Sequence, residues 1–168
     1  MRAAILCPGP SLAVTCPSDD ELKAYDITIG VNRATLVRPF LTVQWWAAGD
    51  WTTLFRLEVS PTVGFCTMAD VIRLAHGHLV WSAHPKAQWV SWEELPARPR
   101  YSTLAALALA KHLGASQIAM YGDDKSGKLD FDKVEGGADR GAMRWDNERK
   151  LQQDMIEKLQ LRVEHIRP

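Results

Sequence analysis

Polar residues able to do chemistry sit where the short apolar runs of this chain end. The first run, Ala3 to Cys7, stops at Pro8-Gly9-Pro10-Ser11. Gly9 has no Cβ, so a ligand could come close to its backbone. Pro10 presets φ for a helix start, Ser11 can cap it, and free N–H groups there would suit a phosphate. A plain strand-to-helix turn would use the same residues. A second run ends in Asn32-Arg33. The Asn amide offers donors and an acceptor to a base or ribose edge, and the guanidinium suits a phosphate. After a third run comes Gly49-Asp50, where Asp50 either caps the next helix or faces the same cleft. A later run ends in Gly122-Asp123-Asp124-Lys125, and paired carboxylates there can hold Mg²⁺ or accept ribose hydroxyls. Tyr101-Ser102-Thr103 opens an Ala/Leu-rich stretch, as an N-cap, as a second anion site, or as both.

These residues need a scaffold, and the apolar pattern supplies one. Strands are expected over 3–7, 26–32, 41–46, 62–66, 78–81, 117–122 and 161–166. Helices are expected over 50–58, 68–77, 102–114 and 143–160. The helix at 102–114 is apolar nearly all round and should be buried; Gly114 ends it. The last helix is amphipathic, with Trp145, Leu151, Met155 and Leu159 on one stripe. Strands alternating with helices predict an α/β three-layer sandwich with a mostly parallel sheet of about six to seven strands. Such sheets bind ligands at the carboxyl ends of their strands, which is where the polar residues fall.

Composition sets the outer limits. The 168 residues suit one domain with a sizeable core. Twenty basic residues balance twenty acidic ones, so the net charge is zero and whole-molecule attraction to nucleic acid is not indicated. The three cysteines, Cys7, Cys16 and Cys66, have no zinc-site spacing; Cys7 and Cys66 each close an apolar run and are expected as buried thiols, in a reducing, cytoplasmic setting. No apolar run approaches the roughly 20 residues that span a bilayer. Five of the seven tryptophans fall between Trp45 and Trp89.

In order along the chain, "CPGPSL" (7–12), "IGVNRA" (29–34), "YSTLAALALA" (101–110) and "YGDD" (121–124) resemble the motifs of small bacterial sialyltransferases with a single Rossmann-like domain. The same pattern is similar to the archaeal-type 6-hydroxymethylpterin pyrophosphokinase-like domain. The resemblance spans roughly residues 3 to 165 and implies a nucleotide donor in the cleft, a CMP-sugar in one relative and ATP in the other. By motif, Gly9, Pro10 and Ser11 would approach the nucleotide phosphate or ribose, and Asn32 would bind the nucleotide. Ser102 and Thr103 would contact base or phosphates, and Asp123 would take the ribose hydroxyls or a metal. Two departures stand out. Pro8 replaces the usual Asn, and residues 122 to 164 lack the general-base His that the sialyltransferases carry in a lid. His84 is the loop-borne substitute, the Gly-, Asp- and Lys-rich stretch 125–141 a reduced lid, and His165 on the last strand a structural residue.

Three functions follow as expectations. The first is a transferase with a nucleotide-activated donor, by glycosyl transfer or by diphosphotransfer in which Asp50, Asp123 and Asp124 hold Mg²⁺ beside Arg33 or Lys125. The second is a nucleotide-binding protein without turnover. The third is an interaction module built on the tryptophans. The acceptor and any homo-oligomer stay open.

Overall fold

The computed structural model describes residues 1–38, 41–49, 64–75, 86–125 and 142–168. The expected strand at 78–81 and helix at 50–58 lie outside them. So do Asp50, His84 and all of the expected lid beyond Lys125.

Seven strands form one sheet: β1 (Arg2–Leu6), β2 (Ile27–Val31), β3 (Trp45–Ala47), β4 (Gly64–Thr67), β5 (Gln88–Ser91), β6 (Gln117–Tyr121) and β7 (Arg162–Ile166). Their spatial order is β5-β4-β3-β2-β1-β6-β7, and every pairing is parallel. The chain thus steps outward from β1 to β5, then returns to the other side of β1 for β6 and β7. The switch point lies between β1 and β6, where open α/β sheets place their ligand crevice. All strands being parallel, every carboxyl end lies on one edge.

The described helices are α1 (Leu12–Thr15), α2 (Asp19–Leu22), α3 (Ala69–Ala75), α4 (Ser102–His112) and α5 (Ala142–Leu159). On one face, Ile5, Ile29 and Val31 pack against Leu104, Leu107 and Ala108 of α4 and Met155 and Leu159 of α5. On the other face, Leu6, Leu12, Leu22 and Val43 form a second core cluster, and Trp46, Phe65 and Val71 a third. The result is the three-layer sandwich the pattern predicts. Helix α4 is buried from Thr103 to Ala110 because it has no polar face to turn outward.

Three elements differ from expectation. Leu41 and Val43 are buried but precede β3 rather than belonging to it. β5 was missed because "QWVS" is half-exposed and reads as loop. Trp45, Trp46 and Trp92 are core residues, and Trp89 stacks on Phe65 at 4.7 Å, so these four do not form an exposed stacking surface. Among the described residues no helix is long and apolar enough to cross a membrane.

Candidate functional site

The loops after β1 and β6 meet at the switch point. Gly9 N–H donates to Gly122 O (2.9 Å), and Ser11 N–H donates to Asp124 Oδ2 (2.8 Å). A Cβ on Gly9 would overlap Gly122 O and lie 2.5 Å from Asp124 Oδ2. Gly122, at φ +66°, has no room for a Cβ beside Cys7 O and Leu12. The glycine at position 9 therefore has a loop-to-loop contact as one reason to lack a Cβ. The Ser11 donor already has a carboxylate of its own chain, so the Gly9-Pro10-Ser11 turn is closed by Asp124 at this point.

The paired carboxylates turn apart. Asp124 reaches back to Ser11. Asp123, with its side chain only 5% exposed, takes an ion pair from Lys125 and a hydrogen bond from Gln152 Nε2 (2.9 Å), and His165 Nδ1 stands 3.3 Å from its Oδ2. Burial alone would raise the Asp123 carboxyl. The His165 contact and the Lys125 charge outweigh it and hold the group below the usual carboxylate range. Among the described residues no three His, Cys, Asp or Glu side chains converge on a metal position. With both carboxylates engaged by protein donors in different directions, Asp123 and Asp124 do not fit a shared Mg²⁺.

Lys125 is not the start of a solvated lid. It is buried at φ +45° on Asp123, and its carbonyl accepts from Arg149 Nη1 (2.8 Å). Cys7 lies in the same region. Burial, with Asp123 nearby, pushes its thiol well above the ordinary value, so it is no nucleophile. Burial pushes the Cys66 thiol to about 12, with Trp92 pulling slightly the other way.

On the other side of the switch point the edge has unmet polar atoms. Asn32 sits just past β2 at φ +49°, a left-handed conformation that Asn tolerates better than most residues. Its own carbonyl accepts from Trp46 Nε1 (2.7 Å), which fixes the residue in place. Its side-chain Oδ1 is buried and no donor among the described residues reaches it. Thr67 Oγ1, fully buried at the end of β4, is also without a partner among the described residues. Helix α4 runs back over β2, β3 and β4, which brings its N-terminus to this edge. There Ser102 Oγ accepts from Gly49 N–H (3.0 Å). The cap position is Tyr101, which makes no side-chain cap bond, so neither Ser102 nor Thr103 is the N-cap. A Cβ on Gly49 would strike Trp92 Cη2 at 2.6 Å. Arg33 lies in the short 3-10 turn after Asn32, half-buried.

The sequence reading gave His165 a structural role and did not single out Gln152 or Glu148. His165 pairs with Met120 in the β6–β7 register, so its side chain shares a face with Asp123's partners on α5. Its imidazole is 38% exposed and lines a cavity of about 280 Å³ with Asp123, Asp124, Ile166 and Arg167. Gln152 and Glu148 are 4% and 5% exposed. Their signal was the spacing: 148, 152, 155 and 159 share one helical stripe, and polar residues on an apolar stripe require partners.

No protein-family model and no curated protein matches this chain. Among solved structures, the sialyltransferase CstII from Campylobacter jejuni, in complex with the substrate analogue CMP-3FNeuAc, is similar at TM-score 0.55 and 11% identity, over 99% of this chain and 81% of that one. Thiamine pyrophosphokinase from Bacillus subtilis is similar at TM-score 0.43 and 16% identity; this chain spans 61% of its length. The likeness to the sialyltransferase is one of fold, the three-layer α/β sandwich.

Proposed function

We propose that this chain is a transferase that uses a nucleotide-activated donor, bound along the carboxyl ends of β2 to β4, and that it transfers a glycosyl group. The observation that carries this reading is Asn32. A buried amide oxygen without a donor costs about 1–3 kcal/mol, and such an atom on a left-handed residue at a strand end supports a ligand there. An amino group of a base or a ribose hydroxyl is the donor it lacks. Ser102, Thr103 and Gly49 would flank that ligand, with Arg33 nearest to its phosphate. The fold shared with a sialyltransferase supports the same class of chemistry.

His165 supplies the base that the sequence lacked in its lid stretch. Asp123 is locked by Lys125 and Gln152 and orients the ring through Nδ1. That leaves Nε2 toward the cavity, where it can take the proton of an acceptor hydroxyl as the hydroxyl oxygen bonds to the transferred group and the nucleotide leaves with the bonding pair. β2 and β7 lie three strand spacings apart, about 14 Å, a reach that a nucleotide carrying a sugar can cover. Diphosphotransfer with Mg²⁺ has less support, because Asp123 and Asp124 diverge.

A thermal-shift panel of CMP, UDP, ADP and ATP, each with and without Mg²⁺, tests the reading. A ligand at a hundred times its Kd should add about 2.7 kcal/mol of stability. A shift with CMP that ignores Mg²⁺ is expected. A shift only with ATP and Mg²⁺ would move the assignment to diphosphotransfer, and no shift with any nucleotide would refute it.

A further inference from the structure

Strand β7 ends the sheet on one side, and no described strand pairs with its outer edge. Arg162 N–H points inward and donates to Ser116 O at 2.9 Å. Amides alternate along a strand, so Val163 and His165 present theirs outward. The edge carries two opposite charges, Arg162 and Glu164, but none of the backbone devices that block pairing. "RVEHI" contains no proline and no lysine, and its register with β6 runs without a bulge from Arg162 to Ile166. Arg162 and Glu164 are exposed. They point to one sheet face, beside a groove of about 320 Å³ that Tyr25 and Gln117 help to line.

We infer that β7 pairs with β7 of a second copy of this chain, antiparallel about Val163, to make one continuous sheet across a twofold axis. Opposite residues of an antiparallel pair share a face, so a twofold axis normal to the sheet must pass beside one residue of β7. Among centres at Arg162, Val163 and Glu164, charge then favours one. Centred on Glu164, the close non-hydrogen-bonded pair would set Glu164 against Glu164 of the second copy. Centred on Arg162, Arg would meet Arg. Centred on Val163, each Arg162 faces the other copy's Glu164, twice. These are the non-hydrogen-bonded positions, where side chains come closest. The outward amide and carbonyl of Val163 exchange two bonds with their own copies, as the inward direction of Arg162 requires. The pairing uses no residue of the Asn32 edge, so it is independent of nucleotide binding there, although it runs along the strand that carries His165.

Sedimentation equilibrium of the wild-type chain and three variants tests it. The wild type is expected to dimerise. Glu164→Arg and Arg162→Glu should each weaken the dimer about tenfold or more, and the double variant R162E/E164R should restore it. Both positions are exposed, and circular dichroism confirms that each variant is folded. A monomeric wild type, a dimer indifferent to either single reversal, or a double variant that stays as weak as the singles would overturn the inference.

Discussion

Replacing Gly9 with Ala tests the closed switch point most severely. The new Cβ would run into the Gly122 carbonyl, and backbone has no rotamer to turn away. Either loop must retreat, and both cross-loop bonds go with it: Gly9 N–H to Gly122 O and Ser11 N–H to Asp124. A neutral bond contributes about 0.5–1.5 kcal/mol and one to a charged group about 1.5–3, so the loss is about 2–4 kcal/mol. For a chain of this size each kcal/mol moves the melting midpoint by about 2–4 °C, so a drop of about 5–15 °C is expected. Thermal unfolding followed by circular dichroism measures it, with Asp124→Asn as the partner variant that weakens only the charged bond and should fall by less than half as much. A Gly9→Ala protein melting within a degree or two of wild type would refute the loop-to-loop account and return Gly9 to a ligand role.

Lys125→Met strands the buried Asp123 carboxylate and should cost about 3–5 kcal/mol, read by urea unfolding; a loss near zero would show that Asp123 has water enough to itself. Asp123 also predicts the acid limb of stability. Its carboxyl is held below the ordinary value in the fold, so its contribution is full above the unfolded value near pH 4 and drains away as pH falls below it toward the folded value. Asp123→Asn should therefore lower stability near neutrality and flatten the melting midpoint's decline with acid; equal slopes in the two proteins would contradict the buried network. His165→Gln, with nucleotide binding intact, should reduce transfer about a hundredfold or more; undiminished turnover would remove the base role.

The sheet was legible because its strands are short apolar runs and its longest buried helix has no polar face at all. That pattern leaves α4 nowhere to go but the core between the sheet and α5. β5 escaped because an edge strand half-exposed to water needs little apolar character. The site was legible in position but not in wiring. Polar residues at strand ends located the edge, yet only the coordinates show that Asp124 folds back on Ser11 and that Asp123 turns into α5. Those pairings depend on loop geometry across 113 residues for Ser11 with Asp124 and 29 for Asp123 with Gln152, which local pattern does not encode. His165 was passed over for the same reason. On β7 it looks like a strand residue, and its partner Asp123 lies in the loop after the neighbouring strand β6.

Calorimetric titration of CMP into the wild-type chain and into Asn32→Gly tests the central claim most directly. Glycine keeps the left-handed backbone at position 32 and removes only the buried amide. The account predicts binding by the wild type, weakened at least tenfold in Asn32→Gly, a loss of about 1.4 kcal/mol, with the melting midpoint of the unliganded protein unchanged or raised because the orphaned oxygen is gone. Equal affinity in the two proteins would show that the orphaned oxygen of Asn32 does not hold the nucleotide.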